Sequence, residues 1–409
     1  MADLSRCRAD FPILSQTIHG RPLAYLDNAA TTQVPRQVLD CMVTHYTLNN
    51  ANVHRGIHTL SERSTTCLEE ARETVRAFLN ASTPEEVIFT QGTTDSINMV
   101  ARGIAQTLEL GDEIVVTELE HHANFLPWQQ LCLERGARLR IAPQRNGELD
   151  RMAFRALMSP RTRLVAVSQV SNLTGAVHPV AELAAEAHAV GAMLLVDGAQ
   201  AVRHESADMQ AMDCDFYCFS GHKLLSQSGI GVLYGKRHRL ERLLPARYGG
   251  GMVDVAGAVG STFAPLPHRL EAGTGSYAQA ITLGAAIRYI DAVGRVEISH
   301  REHELLEYAA GQISALEGVA LLGQPSRRAG CLSFTVEGVH PYDLASLLDK
   351  QGIAIRAGNH CAQPALRSFG LESVSRMSPA FYNTEEEIDA LCAGVVRSAE
   401  LLRKWSGAT

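Results

Sequence analysis

The sequence predicts an α/β protein: a large domain built on a mostly parallel seven-stranded sheet, and a smaller α+β domain. Three observations predict it. The 409 residues suffice for one large core and a smaller one. Short apolar runs alternate with helical patterns through the middle of the chain. After about residue 265 the texture changes to longer helices with a few strands.

Taken in order, "EEVIFTQGTT" reads as strand, turn and helix start. "DEIVVTELEHH" and "ARLRIAP" are further strands, followed by "TRLVAVSQVSNLTG", "GAMLLVDGAQ", "CDFYCFSGHK" and "GIGVLYG". Helical segments such as "HPVAELAAEAHAVG" lie between some of them, so the strands are joined by crossovers and the sheet is covered on both faces. Functional residues of such sheets gather where strands end at their carboxyl termini. The large domain is expected over residues 24–265. The smaller one takes 266–409, through "SYAQAITLGAAIRYIDAVG", "CLSFTVEG", "HPYDLASLLDKQG", "IAIRAG" and a final helix in "TEEEIDALCAGVVRSAELLRKW". Residues 1–23 are expected to pack against it.

Hydrophobic residues make up 46% and charged residues 20%, the balance of a soluble globular protein. A net charge of −7 argues against a general nucleic-acid binder. The opening "MADLSRCRADFPIL" lacks the apolar core of a signal peptide, and no run reaches the ~18 apolar residues of a membrane span. Nine cysteines are scattered without a CxxC pair, which fits neither a zinc site nor a disulfide scaffold. The expected setting is a reducing cytoplasm, with no metal, membrane or nucleic-acid partner. There a cysteine is ordinarily a small buried hydrophobe. Cys361, in the loop-like "RAGNHCAQP", asks for another explanation.

The chemistry starts at "CDFYCFSGHKLLSQSG", where Lys223 follows a buried strand. Lysine is rarely buried unpaired. Desolvation would lower its pKa and leave it an amine fit to form a Schiff base. Asp197 ends the strand in "LLVDGAQ" and can pair with a pyridinium nitrogen; the two together are the signature of pyridoxal 5'-phosphate. "QGTTDSINMV" offers a phosphate cup, since Gly92, Thr93 and Thr94 open a helix whose N–H groups and dipole favour an anion. Ser220 and His222 can add donors. His121 can stack on the ring, although His122 beside it leaves that choice open. Asn172 and Gln200 can each reach the ring's phenolic oxygen. Seen singly, each has a plainer reading as a cap, a surface lysine or a structural histidine. In sequence at successive strand ends they form one constellation.

The succession "YLDNAATT", "HRGIHTLSE", "GTTDSINMVA", "EHHANFLPW", "VDGAQAV", "DFYCFSGHKL", "EAGTGS" and "RAGNHCAQP" resembles the group II cysteine desulfurases. These are the SufS- and CsdA-like members of the NifS-like class V aminotransferase group, and the resemblance runs from about residue 8 to about residue 403. It implies fold type I of the pyridoxal-phosphate enzymes and a homodimer with active sites at the interface. It implies the cofactor as a covalent aldimine on Lys223, with Asp197 at the ring nitrogen, His121 stacked, and Gln200 at the phenolic oxygen. Thr93, Thr94, Ser220 and His222 would hold the phosphate, and Thr274 would reach the phosphate of the other subunit. Arg376 would clamp the substrate carboxylate, with Asn172, Arg356, His54 and Arg55 also lining the substrate's path. Lys223, His121 and Cys361 would be catalytic. L-cysteine would become L-alanine, its sulfur left as a persulfide on Cys361 and passed to a SufE- or CsdE-like acceptor, as for iron–sulfur cluster assembly. Arg356, His360 and a following helix N-terminus are expected to favour the thiolate, in a mobile loop. Two departures stand out: "GHKLLSQSG" where the group commonly has "GHKLYGPTG", and Met377 in "SRMS" where "RAS" is usual. Selenocysteine or cysteine sulfinate cleavage on the same scaffold, and an idle scaffold within a sulfur-transfer complex, are the rival readings.

Overall fold

The computed structural model describes residues 4–406. Residues 1–3 and 407–409, the ends of the expected smaller domain, lie outside the described residues. The central sheet has seven strands: β1 (Val87–Thr90), β2 (Glu113–Thr117), β3 (Arg138–Ala142), β4 (Thr162–Ser168), β5 (Met193–Asp197), β6 (Phe216–Ser220) and β7 (Gly231–Gly235). Their order is β1-β7-β6-β5-β4-β2-β3. All pairings are parallel except the two made by β7.

Period-two alternation sends side chains of one strand into two cores. Ile114, Val116, Leu164, Ala166 and Leu195 pack into one. Val115, Val165, Val167, Leu194 and Val196 pack into the other. Because both faces are covered, these strands are apolar throughout rather than alternating with polar residues. The helices α1 (Thr59–Leu79), α2 (Thr93–Ile104), α3 (Leu126–Arg135), α4 (Val180–Ala189) and α5 (Tyr277–Val293) supply the cover.

A second sheet of four antiparallel strands follows: β8 (Val319–Leu321), β9 (Leu332–Val336), β10 (Arg356–Gly358) and β11 (Val374–Met377), in the order β8-β9-β11-β10. With α6 (Arg295–Ser314), α7 (Pro341–Asp349) and α9 (Glu385–Ser406) it encloses a third core around Leu305, Phe334, Leu348 and Leu391. The N-terminal segment is fastened here: Arg8 pairs with Glu387 at 2.8 Å, and Phe11 packs against Phe381 and Tyr382. Residues Ala24–Tyr25 pair in parallel with Ile353–Ala354. The helix α8 (Gln363–Ser368) joins β10 to β11.

A buried ion pair ties α1 to the edge of the central sheet. Arg72, 1% exposed, gives two N–H groups to the Glu271 carboxylate at 2.7 and 3.0 Å and a third bond to the Val87 carbonyl at 2.8 Å. Glu271 also accepts the Phe89 N–H at 2.7 Å, so one carboxylate fixes both β1 and the segment leading to Thr274. Removing one member of such a pair leaves the other charge uncompensated. Arg72→Leu is expected to lower the unfolding free energy by about 3 kcal/mol, read as a reduced denaturant midpoint, with Glu271→Gln in that background recovering part of the loss.

Candidate active site

The carboxyl ends of β1, β2, β4, β5 and β6 converge on one edge of the central sheet, facing β10 and β11. Between them lies a cavity of about 300 Å³ lined by Lys223, Asp197, His121, Asn172, Cys361 and Arg376, among others. Register explains the grouping. Asp197 is paired with Ser168 on one side and with Cys218 on the other, so the loops that carry Asn172, Gln200 and Lys223 all leave the sheet at one level.

Lys223 closes a single 3-10 turn after β6. Burial pushes its ammonium down to about 8; Asp197 works against that shift and Arg376 with it. Asp197 is itself 5% exposed, and burial raises its pKa against the Ala199 N–H bond at 2.8 Å. His121 caps a short turn, its Nδ1 accepting the Ala123 N–H at 3.0 Å, so its proton sits on Nε2. Burial, followed by the charge of Lys223, pushes His121 down to about 3. It is a neutral, flat group at any physiological pH. Glu120, the residue before it, is fully buried and raised to about 7 by burial, despite bonds from Thr117, Asn124 and the Ser168 N–H.

At the other end of the cavity, Gly92 caps α2 with φ +148°, a conformation open to glycine. A Cβ there would stand 3.3 Å from the Ser220 hydroxyl, inside the cup. One expectation changes: the Thr93 N–H is not free, because the Ser220 hydroxyl accepts it at 2.8 Å. Ser220 thus acts as a cap for α2, and the N–H groups of Thr94 and Asp95 remain without intrahelical acceptors. His222 lines the same end, pushed down to about 4 by burial and then by Lys223. Gln200 donates to the Ala29 carbonyl at 2.8 Å.

The opposite wall comes from the second sheet. Arg376 and Arg356 are direct cross-strand partners, so two like charges share one face. Asp27 makes this tolerable. Its two oxygens lie 3.5 Å from Arg376 and 3.5 Å from Arg356. Arg376 is 3% exposed, donates to the Asn172 carbonyl at 2.7 Å, and leaves its Nε without a partner. The sequence analysis missed Asp27, although it follows a short apolar strand as Asp197 does.

Cys361 is exposed, between two buried neighbours, His360 and Ala362. Both His360 and Cys361 have positive φ, +51° and +54°, which costs about 1–2 kcal/mol for each non-glycine residue and must be held by contacts. The Cys361 N–H donates to Asn359 Oδ1 at 2.9 Å, and Asn172 Nδ2 to the His360 carbonyl at 2.7 Å. The expectation that His360 favours a thiolate fails. Burial, then Arg376, pushes it down to about 3, and its Nε2 is bound to the Val374 carbonyl at 3.0 Å; it stays neutral. The helix that follows starts at Gln363 and is only six residues long, so its dipole adds little. The expected mobile loop is, in this structure, fastened on both sides of the thiol.

Thr274, His54 and Arg55 do not join this cavity. They line a second one of about 490 Å³, with Glu271 and Tyr277. His54 meets His268 edge to face at 4.9 Å, and burial lowers its pKa. Among the described residues no group of three or more His, Cys, Asp or Glu is placed to hold a metal ion, and no helix is long and apolar enough to cross a membrane.

The residues fit pyridoxal 5'-phosphate. A depressed lysine stands in the cavity with a buried carboxylate, and the glycine-capped helix start forms a cradle that a Cβ would enter. Comparison with known proteins agrees in kind. The family described as Aminotransferase class-V matches residues 24–391. A cysteine desulfurase of Dickeya dadantii is 48% identical over 98% of this chain and 97% of its own length. One of Synechococcus elongatus is 48% identical over 97% of this chain, which spans 63% of that longer protein. The crystal structure of the Escherichia coli cysteine desulfurase CsdA, in an S-sulfonic acid form, superposes with a TM-score of 0.90 at 38% identity, covering 98% of this chain and 99% of the other.

Asp197 is the foremost of the groups that hold the Lys223 pKa up. Asp197→Asn is therefore expected to move it below about 8 in the cofactor-free protein. The pH dependence of Lys223 acylation, followed by peptide mass, checks this; an unchanged midpoint would contradict it.

Proposed function

The chain belongs to the class-V aminotransferase family and, with its relatives, to the cysteine desulfurases, and from that membership we propose that it converts L-cysteine to L-alanine and takes the sulfur as a persulfide on Cys361. The single observation that carries this reading is the exposed thiol of Cys361 at the rim of the cavity that also contains Lys223, Asp197 and Arg376. Pyridoxal 5'-phosphate, when bound, supplies an electron sink for cleavage next to the substrate's carboxylate. Lys223 and Asp197 would hold it at one end, and Thr93, Thr94, Ser220 and His222 at the phosphate, with His121 against the ring and Gln200 and Asn172 beside it.

The chain's own residues do the rest. Arg376 binds the substrate carboxylate through charge-assisted hydrogen bonds, joining Asp27 as a counter-anion to the arginine pair. Lys223, with a pKa of about 8, is partly an amine at neutral pH and serves as the base for the α-proton. The Cys361 thiolate attacks the substrate sulfur. An S–S bond forms, the C–S bond breaks with its electron pair staying on carbon, and that carbon takes a proton to give alanine. A catalytically idle scaffold is disfavoured, because lysine, carboxylate, arginine and thiol are all intact around one cavity.

The enzyme is proposed to act as a homodimer, in which Thr274, His54 and Arg55 of one protomer complete the site of its partner. Residues 24–265 would form the cofactor-binding domain, and 1–23 with 266–409 the smaller one. A SufE- or CsdE-like protein is the proposed acceptor, with iron–sulfur cluster assembly as its use. A chain with scattered cysteines and no CxxC pair favours the cytoplasm. Selenocysteine and cysteine sulfinate suit the same carboxylate pocket, and their leaving groups depart without attack by a thiol.

Cys361→Ala is expected to abolish alanine release from L-cysteine, leave the cofactor's visible absorbance intact, and spare turnover of cysteine sulfinate. Mass measurement of the wild-type protein after one turnover should find about 32 Da added at Cys361, as a persulfide adds. Retained cysteine turnover in the variant would refute the reading. Arg376→Lys, which loses the bidentate fork, is expected to raise KM at least about tenfold.

A further inference from the structure

Adjacent histidines point in different directions. His121 lines the cavity, whereas His122, its ring tilted 48° from that of His121, faces the nucleophile loop. The His122 N–H donates to the Cys361 carbonyl at 2.7 Å. Its Nε2 accepts the Gln363 N–H at 3.3 Å. One residue therefore grips the loop at position 361 and again two residues later. The Gln363 N–H is a donor, so Nε2 must carry the lone pair and Nδ1 the proton. Burial lowers the pKa of His122, which keeps that lone pair available.

The grip has something to resist. His360 and Cys361 both stand in the left-handed region. A loop in that state relaxes unless contacts over-determine it. Inside the loop, Asn359 supplies two: its side chain accepts from Cys361 N–H and its carbonyl from Ala362 N–H, each at 2.9 Å. From outside, Asn172 holds the His360 carbonyl on the side before the thiol. His122 holds the side after it.

We propose that His122 is a positioning residue for the sulfur-accepting thiol, its ring and main chain together fixing the direction from which Cys361 meets the substrate. This rests on the reading of Cys361 as sulfur acceptor. His122 does not line the cavity that holds Lys223 and Asp197. Its loss should therefore slow the thiol's attack and leave substrate binding unchanged.

The test uses the cofactor-loaded protein and two variants. His122→Phe keeps a planar ring without an acceptor; His122→Gln keeps a side-chain acceptor. The first readout, which does not depend on turnover, is the rate of Cys361 alkylation by iodoacetamide, followed by peptide mass. His122→Phe is expected to change that rate at least about threefold and to lower kcat for alanine release at least about fivefold, with KM within about twofold of wild type. His122→Gln is expected to stay within about twofold of wild type on both readouts. An unchanged kcat in His122→Phe overturns the proposal whatever the alkylation rate, as does an unchanged alkylation rate. A His122→Gln variant as impaired as His122→Phe overturns it too, as does a KM that rises in step with the fall in kcat. A wild-type protein that releases no alanine refutes the desulfurase reading instead, and the alkylation comparison still decides whether His122 holds the loop.

Discussion

The turn that follows β4 is the point at which the two sheets are joined. The Asn172 carbonyl receives Arg376 at 2.7 Å and the Cys331 thiol at 3.4 Å, and the Leu173 carbonyl receives the Ser333 hydroxyl at 2.6 Å. Arg328 adds a bond to the Thr174 carbonyl at 3.2 Å. The Asn172 side chain, meanwhile, reaches the His360 carbonyl. Buried backbone carbonyls at a strand end must find donors. Here the donors come from β9, β11 and the loop between β8 and β9. The placement of Arg376 and of the Cys361 loop thus follows from how one irregular turn satisfies its hydrogen bonds.

The electrostatics of the cavity are simpler than its inventory suggests. Three histidines border it, and burial holds His121, His222 and His360 at about 3, 4 and 3. None carries charge near neutrality, so they contribute shape and hydrogen bonds. Positive charge is left to Lys223 and the arginine pair, and negative charge to Asp197 and Asp27. Lys223, lowered to about 8 by burial, can therefore give up its proton close to working pH.

The sequence made the strand ends legible because each is a local event: an apolar run, then a glycine, carboxylate or lysine within a few residues. Lys223, Asp197 and the Gly92–Thr94 helix start were readable that way, and the departure at Leu225 shows as one more local feature, a positive φ of 58° whose N–H is taken by Thr32. What escaped depends on residues far apart in the chain. Asp27 has meaning only beside Arg376 and Arg356, more than 300 positions away, and the register that sets those two arginines opposite each other leaves no periodic trace. His360 was misjudged because its neighbours in sequence are polar and small, whereas its neighbours in space bury it. The two histidines at 121 and 122 were inseparable until the turn gave each a direction.

Behind the exposed thiol, Ala362, Ala365 and Leu366 are sealed against Leu119, Leu173, Leu322 and Val374 in a small apolar cluster of their own. Swinging the loop outward would draw these side chains into water, at about 25 cal/mol for each Å² uncovered. Cys361 therefore works on a short tether. Its sulfur stays at the mouth of the cavity as long as that cluster stays closed. On the proposed role of Cys361, an acceptor would have to reach inward to the mouth of the cavity to take the sulfur.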